Sequence, residues 1–195
     1  MIVTLDHVDK SYAGQPVLRD VTARLTGCTV LAGPSGGGKT TLARLILGLE
    51  QPDRGRVEVS GTLAAVFQED RLCPGLSALE NVALACPRTV DQQAICRGFE
   101  ALGLDRQDWQ KPAAQLSGGQ KRRTAILRAM LAPADGVVLD EPFKGLDPAA
   151  RRAAMEFVRR QAGDRFLLVI THDREEVQFF GPVQLCLQDG CLTEE

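Results

Sequence analysis

No run of about 18 apolar residues occurs in this 195-residue chain, and its first residues form no basic, apolar, small-residue leader. The chain is therefore expected neither to span a membrane nor to be secreted by those routes. Its six cysteines, Cys28, Cys73, Cys86, Cys96, Cys186 and Cys191, show no Cys-x-x-Cys spacing, so they read as reduced, partly buried thiols rather than a disulfide framework or zinc site. A net charge of −2 offers no basic surplus for nucleic acid, and the pairs Arg122-Arg123, Arg151-Arg152 and Arg159-Arg160 read as solvated helix faces. There is no internal repeat, low-complexity tract or long linker. The single tryptophan, Trp109, reads as packing within a helical region.

What is present begins with Gly33-Pro34-Ser35-Gly36-Gly37-Gly38-Lys39-Thr40. Triphosphate oxygens need many donors at close range, and glycines let backbone N–H groups converge without Cβ atoms in the way. Lys39 adds a point charge for the β- and γ-phosphates, and the Thr40 hydroxyl is suited to the Mg²⁺ that bridges them. Thr29–Ala32 reads as a short buried strand and Thr41–Leu47 as a helix stopped by Gly48, which puts phosphate at a positive helix end. Unrelated kinases, GTPases and motors share such a loop.

Gly136-Val137-Val138-Leu139-Asp140-Glu141-Pro142 predicts a strand buried on both faces with two carboxylates at its end. Such a pair is costly unless a cation or reactive water lies before it, so Asp140 is assigned to Mg²⁺ and Glu141 to a general base. Leu116-Ser117-Gly118-Gly119-Gln120 reads as a capping box opening a helix through Leu131, and its glycine-bearing N-terminus is a second anion site.

Together and in this order, the phosphate loop and Leu116–Gln120 resemble the nucleotide-binding subunit of an ATP-binding cassette (ABC) protein, and the resemblance covers nearly the whole chain. It implies two chains paired head to tail, each ATP closed between one phosphate loop and the partner's Ser117, Gly118, Gly119 and Gln120. By the same resemblance Gln68, after Ala65-Val66-Phe67, reaches metal and attacking water. His172, after Leu168-Val169-Ile170, contacts the γ-phosphate and orients Glu141. Asp147 in Gly145-Leu146-Asp147 crosses the dimer interface, Thr41 joins the nucleotide contacts, and Tyr12 stacks on adenine. Lys144 stands where the family commonly has a small residue. His7 has no supporting motif and reads as a surface or structural histidine.

The implied fold is α/β: a P-loop NTPase core sheet with an N-terminal antiparallel β subdomain and an inserted helical subdomain, the ABC ATPase fold. One domain spans 1–195, with core and β subdomain at about 1–69 and 135–195 and the helical subdomain at about 70–134. Within the helical stretch, Ser77-x-x-Glu80 and Thr89-x-x-Gln92 predict helix starts, and Gly103 a stop.

The implied function is ATP hydrolysis with Mg²⁺ that powers a membrane permease from the cytoplasmic face, with a solute-binding protein reached through the permease. The stretch Phe67–Val82 resembles importers for nitrate, sulfonates and taurine. An exporter or membrane-remodelling complex would use the same ATPase. A DNA-maintenance ATPase is disfavoured by the short interval between motifs. The short tail after His172 leads to the expectation that no regulatory domain is appended.

Overall fold

The computed structural model describes residues 1–86, 90–181 and 184–194. It divides into two compact units. The first comprises Met1–Ala65, Asp135–Glu141 and Asp164–Glu195, and the second Val66–Ala134 and Pro142–Gly163.

In the first unit, β1 (Ile2–Tyr12) lies between β2 (Gln15–Thr26) and β4 (Arg54–Val59) in an antiparallel sheet. The alternation of Val3 and Leu5 with Thr4 and Asp6 gives the sheet one apolar face, with Val3 opposite Leu25 and Leu5 opposite Ala23. A six-stranded sheet runs β5 (Leu63–Val66), β6 (Gly136–Asp140), β7 (Phe166–Ile170), β3 (Cys28–Ala32), β8 (Gln184–Gln188) and β9 (Cys191–Glu194). Strands β6, β7, β3 and β8 pair in parallel, while β9 closes one edge antiparallel to β8. Both β6 and β7 are buried at every residue, as their unbroken apolar runs predict.

Helix α1 (Lys39–Ile46) follows β3 through the phosphate loop and buries Leu42, Ala43, Leu45 and Ile46. They join Val3, Leu5, Leu18, Leu31, Leu168 and Leu187 in one core between the two sheets. Gly48 ends the helix with φ at 67°, a left-handed turn that costs glycine little. Helix α6 (Arg174–Phe180) starts from Asp173, whose carboxylate accepts the N–H groups of Glu175 and Glu176.

The second unit holds α2 (Ala78–Ala83), α3 (Gln92–Ala101), α4 (Gly118–Leu131) and α5 (Pro148–Ala162). Less of the 70–134 stretch is helical than its composition suggests. The segment before α2 is a loop tied down by buried Asn81, which accepts from the Cys73 N–H at 2.7 Å and donates to the carbonyls of Cys73, Leu76 and Ser77. Ser77 and Glu80 form the predicted capping box. Thr89 lies outside the described residues, and α3 is capped by Asp91. Trp109 is buried, stacked on Phe99 with ring centroids 5.5 Å apart, and its indole N–H donates to Leu104 O at 3.1 Å.

Candidate nucleotide-binding and hydrolytic site

Helix α1 opens without a side-chain cap. Its N-cap is Gly38 at φ 96°, so the first N–H groups of the helix have no side-chain oxygen to satisfy them. The loop before it passes tightly over β8: Gly33 has φ 140°, and a Cβ there would collide with the Leu187 carbonyl. The result is a cradle of backbone donors at a positive helix end, suited to phosphate. Lys39 is buried, and its ammonium donates to the carbonyls of Gly33 at 2.8 Å and Pro34 at 2.7 Å. Burial lowers the Lys39 pKa, against the opposing pull of Glu141, Asp140 and Cys186. An ammonium desolvated in this way gains from an incoming anion.

Across from the loop, the Thr40 hydroxyl donates to Asp140 Oδ2 at 2.9 Å. Burial raises the Asp140 carboxyl above its ordinary range, with Thr40 opposing and Glu141 adding to the rise. One carboxylate and one hydroxyl fit Mg²⁺, which keeps several waters and takes few protein ligands. Among the described residues no cluster of three or more His, Cys, Asp or Glu forms an all-protein cage.

The residue after Asp140 breaks the strand. Glu141 has φ 47°, an uncommon left-handed conformation for a residue with a side chain, while its N–H still donates to Ile170 O at 2.9 Å. The turn aims the carboxylate at His172, whose Nδ1 lies 3.1 Å from Glu141 Oε1. The Glu141 side chain is 13% exposed and the His172 ring 54% exposed, so the pair sits at an open edge. A carboxylate beside an imidazole, next to a metal-type oxygen pair and a phosphate cradle, can accept a proton from water.

Tyr12 ends β1, with 41% of its surface exposed. His7 is exposed and paired with Asp20 at 2.6 Å, which accounts for it as a surface residue.

The second unit carries the other expected residues. Ser117 accepts the Gln120 N–H at 3.2 Å, and Gln120 Oε1 accepts the Ser117 N–H at 2.8 Å, so α4 starts with a complete capping box. Leu146 lies against Gly119, which brings the Gly145–Asp147 loop beside this helix start. Asp147 caps α5, accepting from Ala149 at 3.1 Å and Ala150 at 3.0 Å, and these bonds hold its carboxyl below its ordinary range.

Gln68 lies in the turn after β5, and two arginines of α4 fix that turn. Arg122 donates to the carbonyls of Phe67 and Gln68 and lies 3.2 Å from Asp70 Oδ1, while Arg128 donates to Asp70 O and Arg71 O. Arg122 is 7% exposed, which overturns its reading as part of a solvated face. The sign was in the spacing: Arg122, Ile126 and Met130 lie one turn apart on the buried stripe, where an arginine is stable only with its donors satisfied. Arg123 likewise turns inward, to Leu102 O, Gly103 O and Gly119 O.

Residues 20–144 match the family described as ABC transporter. The spermidine/putrescine import ATP-binding protein PotA of Legionella pneumophila (strain Paris) is 36% identical over 194 residues, covering 90% of this chain and 53% of its own length. The chain thus spans about half the length of that relative. The aliphatic sulfonates import ATP-binding protein SsuB 1 of Nocardia farcinica is 40% identical over 185 residues, covering 89% of this chain and 73% of its own. A solved dimeric structure, the post-hydrolysis state of an ATP-binding cassette bound to ADP and Pi, has a TM-score of 0.88 at 25% identity and covers 99% of this chain and 97% of that one. The family match runs from β2 past Glu141 and so takes in both helix starts and the carboxylate pair; on that ground the chain belongs to the ABC transporter family.

Proposed function

We propose that this chain is the ATP-hydrolysing subunit of a membrane transporter, acting as a head-to-tail pair of cassettes docked on an integral membrane permease at the cytoplasmic face. The observation that carries this reading is the Glu141–His172 pair at 3.1 Å, one residue beyond the Thr40–Asp140 bond. Gly33–Thr41 bind the phosphates, with Lys39 moving from the loop carbonyls to phosphate oxygens. Thr40 and Asp140 would hold Mg²⁺, which when bound would offset the negative charge of the phosphates. Glu141 takes a proton from the attacking water, and His172 orients that carboxylate and meets the γ-phosphate. Ser117, Gly118, Gly119 and Gln120 close the partner's ATP, while Asp147 crosses the interface at the base of α5.

Closing and reopening of the pair would switch the permease between its two facings. The uncapped α1 and the capped α4 support the division of labour, since each supplies a helix start that one chain alone would not need twice. No described helix is long and apolar enough to cross a membrane. One relative is named for aliphatic sulfonates and another for spermidine/putrescine, both as importers. Their names favour import as the direction. Their different solutes fit a subunit whose substrate is selected by the permease and its solute-binding protein.

The test is Glu141→Gln, which keeps the shape and removes the base. Phosphate release should fall by about 100-fold or more while Mg-ATP binding persists. Turnover at the parent rate would remove Glu141 from this role.

A further inference from the structure

Tyr12 is the only tyrosine of the chain, and it projects from the end of β1 with 41% of its surface exposed. An exposed ring can turn about two side-chain bonds. As a stacking platform it is effective only if its plane is set before the base arrives.

Neighbouring groups set it. The Tyr12 hydroxyl donates to Glu50 Oε2. The other oxygen of Glu50 is held by Arg44 Nη1 at 3.3 Å. The Lys10 ammonium lies 5.5 Å from the ring centroid. Lys10 is itself anchored on Gln51 O at 2.8 Å and Asp53 Oδ1 at 3.3 Å, and the Ser11 N–H donates to Asp53 Oδ2 at 2.6 Å. The end of β1 is thereby stitched to the segment that follows α1.

Arg44 belongs to α1, the helix that begins at Lys39 in the phosphate cradle. A helix is a rigid spacer with a fixed rise of about 1.5 Å per residue. Tying the tyrosine to Glu50, and Glu50 to Arg44, therefore fixes the ring at a set distance from the cradle. Exposed charge pairs add little to fold stability. The main effect of the Glu50 contact is thus on where the ring points.

We propose that Glu50 is a positioning residue for the nucleobase, holding the Tyr12 ring through its hydroxyl, with Arg44 behind it, in the orientation on which adenine stacks. The proposal rests on the reading of Tyr12 as the base platform. It gives Glu50 no part in phosphate binding.

The experiment measures Mg-ATP and Mg-tripolyphosphate binding to the purified chain by calorimetry. Glu50→Ala should weaken ATP by about fivefold and leave tripolyphosphate unchanged. Tyr12→Ala should weaken ATP by about tenfold. Because both act through one ring, the double variant should match Tyr12→Ala rather than multiply the losses. Glu50→Gln keeps an acceptor for the hydroxyl and should bind ATP within about twofold of the parent.

The single tyrosine supplies a second readout. Burial and then the Glu50 bond raise its phenol pKa, so the phenolate absorbance should appear at lower pH in both Glu50 variants. Multiplied losses, equal loss for tripolyphosphate, or full ATP affinity in Glu50→Ala would each overturn the proposal. Full ATP affinity in Tyr12→Ala would overturn the platform reading on which it stands.

Discussion

Helices α1 and α4 both start beside glycines, and they treat their first N–H groups in opposite ways. At α1 the N-cap is Gly38 and no side chain caps the turn. At α4 Ser117 and Gln120 satisfy each other's backbone. An uncapped start is a cost to the fold that phosphate can recover. A capped start is stable by itself, so any anion it meets is an added contact rather than a missing partner. The difference teaches which helix start gains more from an anion: α1 leaves its first N–H groups without a side-chain cap, and α4 satisfies its own.

The largest effect should come from breaking α1. Lys39→Ala deletes a buried charge that faces phosphate and should weaken Mg-ATP binding by about 100-fold in the single chain. Ser117→Ala in the same assay should leave ATP affinity unchanged and lower stability by about 1 kcal/mol, the value of an N-cap. Equal loss of ATP affinity in both variants would erase the contrast between the two helices.

Next is the tie between α4 and the Gln68 turn. Arg122→Met removes the donors to Phe67 O and Gln68 O and leaves Asp70 without that cation. It should cost about 3 kcal/mol in a denaturant melt. A loss under about 0.5 kcal/mol would return Arg122 to the solvated class.

The smallest effect concerns the charge that the site keeps without its ligand. Because burial raises the Asp140 carboxyl, the folded chain binds a proton at a pH where the unfolded chain has released it. Its ionised form therefore destabilises the fold at neutral pH, and this cost fades as pH falls through the raised folded value. Asp140→Asn should then increase Tm at neutral pH by about 2–4 °C, with the gain shrinking on acidification. A gain that does not change with pH, or a loss at neutral pH, would contradict this sign.

Much of this was legible in local pattern. The apolar runs of β6 and β7, the Gly-rich loop, and the reciprocal Ser117 and Gln120 pairing each follow from spacing alone, and the described residues bear them out. What the sequence concealed were long-range partners. Arg122 satisfies carbonyls on a turn about 55 residues away in the chain, a distance that no helical period reports. The segment before α2 carries the turn dipeptide Pro74-Gly75 inside the stretch expected to be helical, and it is a loop organised by one buried amide, Asn81. Pro142–Gly163 falls in the compact unit of the helices, a consequence of packing that local propensity does not encode. The Glu50 tether of Tyr12 was equally invisible, since its meaning lies in which ring it touches.

The central claim is that one chain supplies the phosphate cradle of a site and the other its Ser117 helix start. In a Glu141→Gln background, Lys39→Ala spoils the first half and Ser117→Arg blocks the second with bulk and charge, so neither variant alone should form an ATP-dependent dimer. Mixing them restores one intact composite site. Size-exclusion chromatography of the mixture with labelled ATP should show a heterodimer that retains nucleotide. If Ser117→Arg alone still dimerises and traps ATP as the Glu141→Gln parent does, the role of Ser117 in the partner's site is wrong, and the α4 start is only a helix cap.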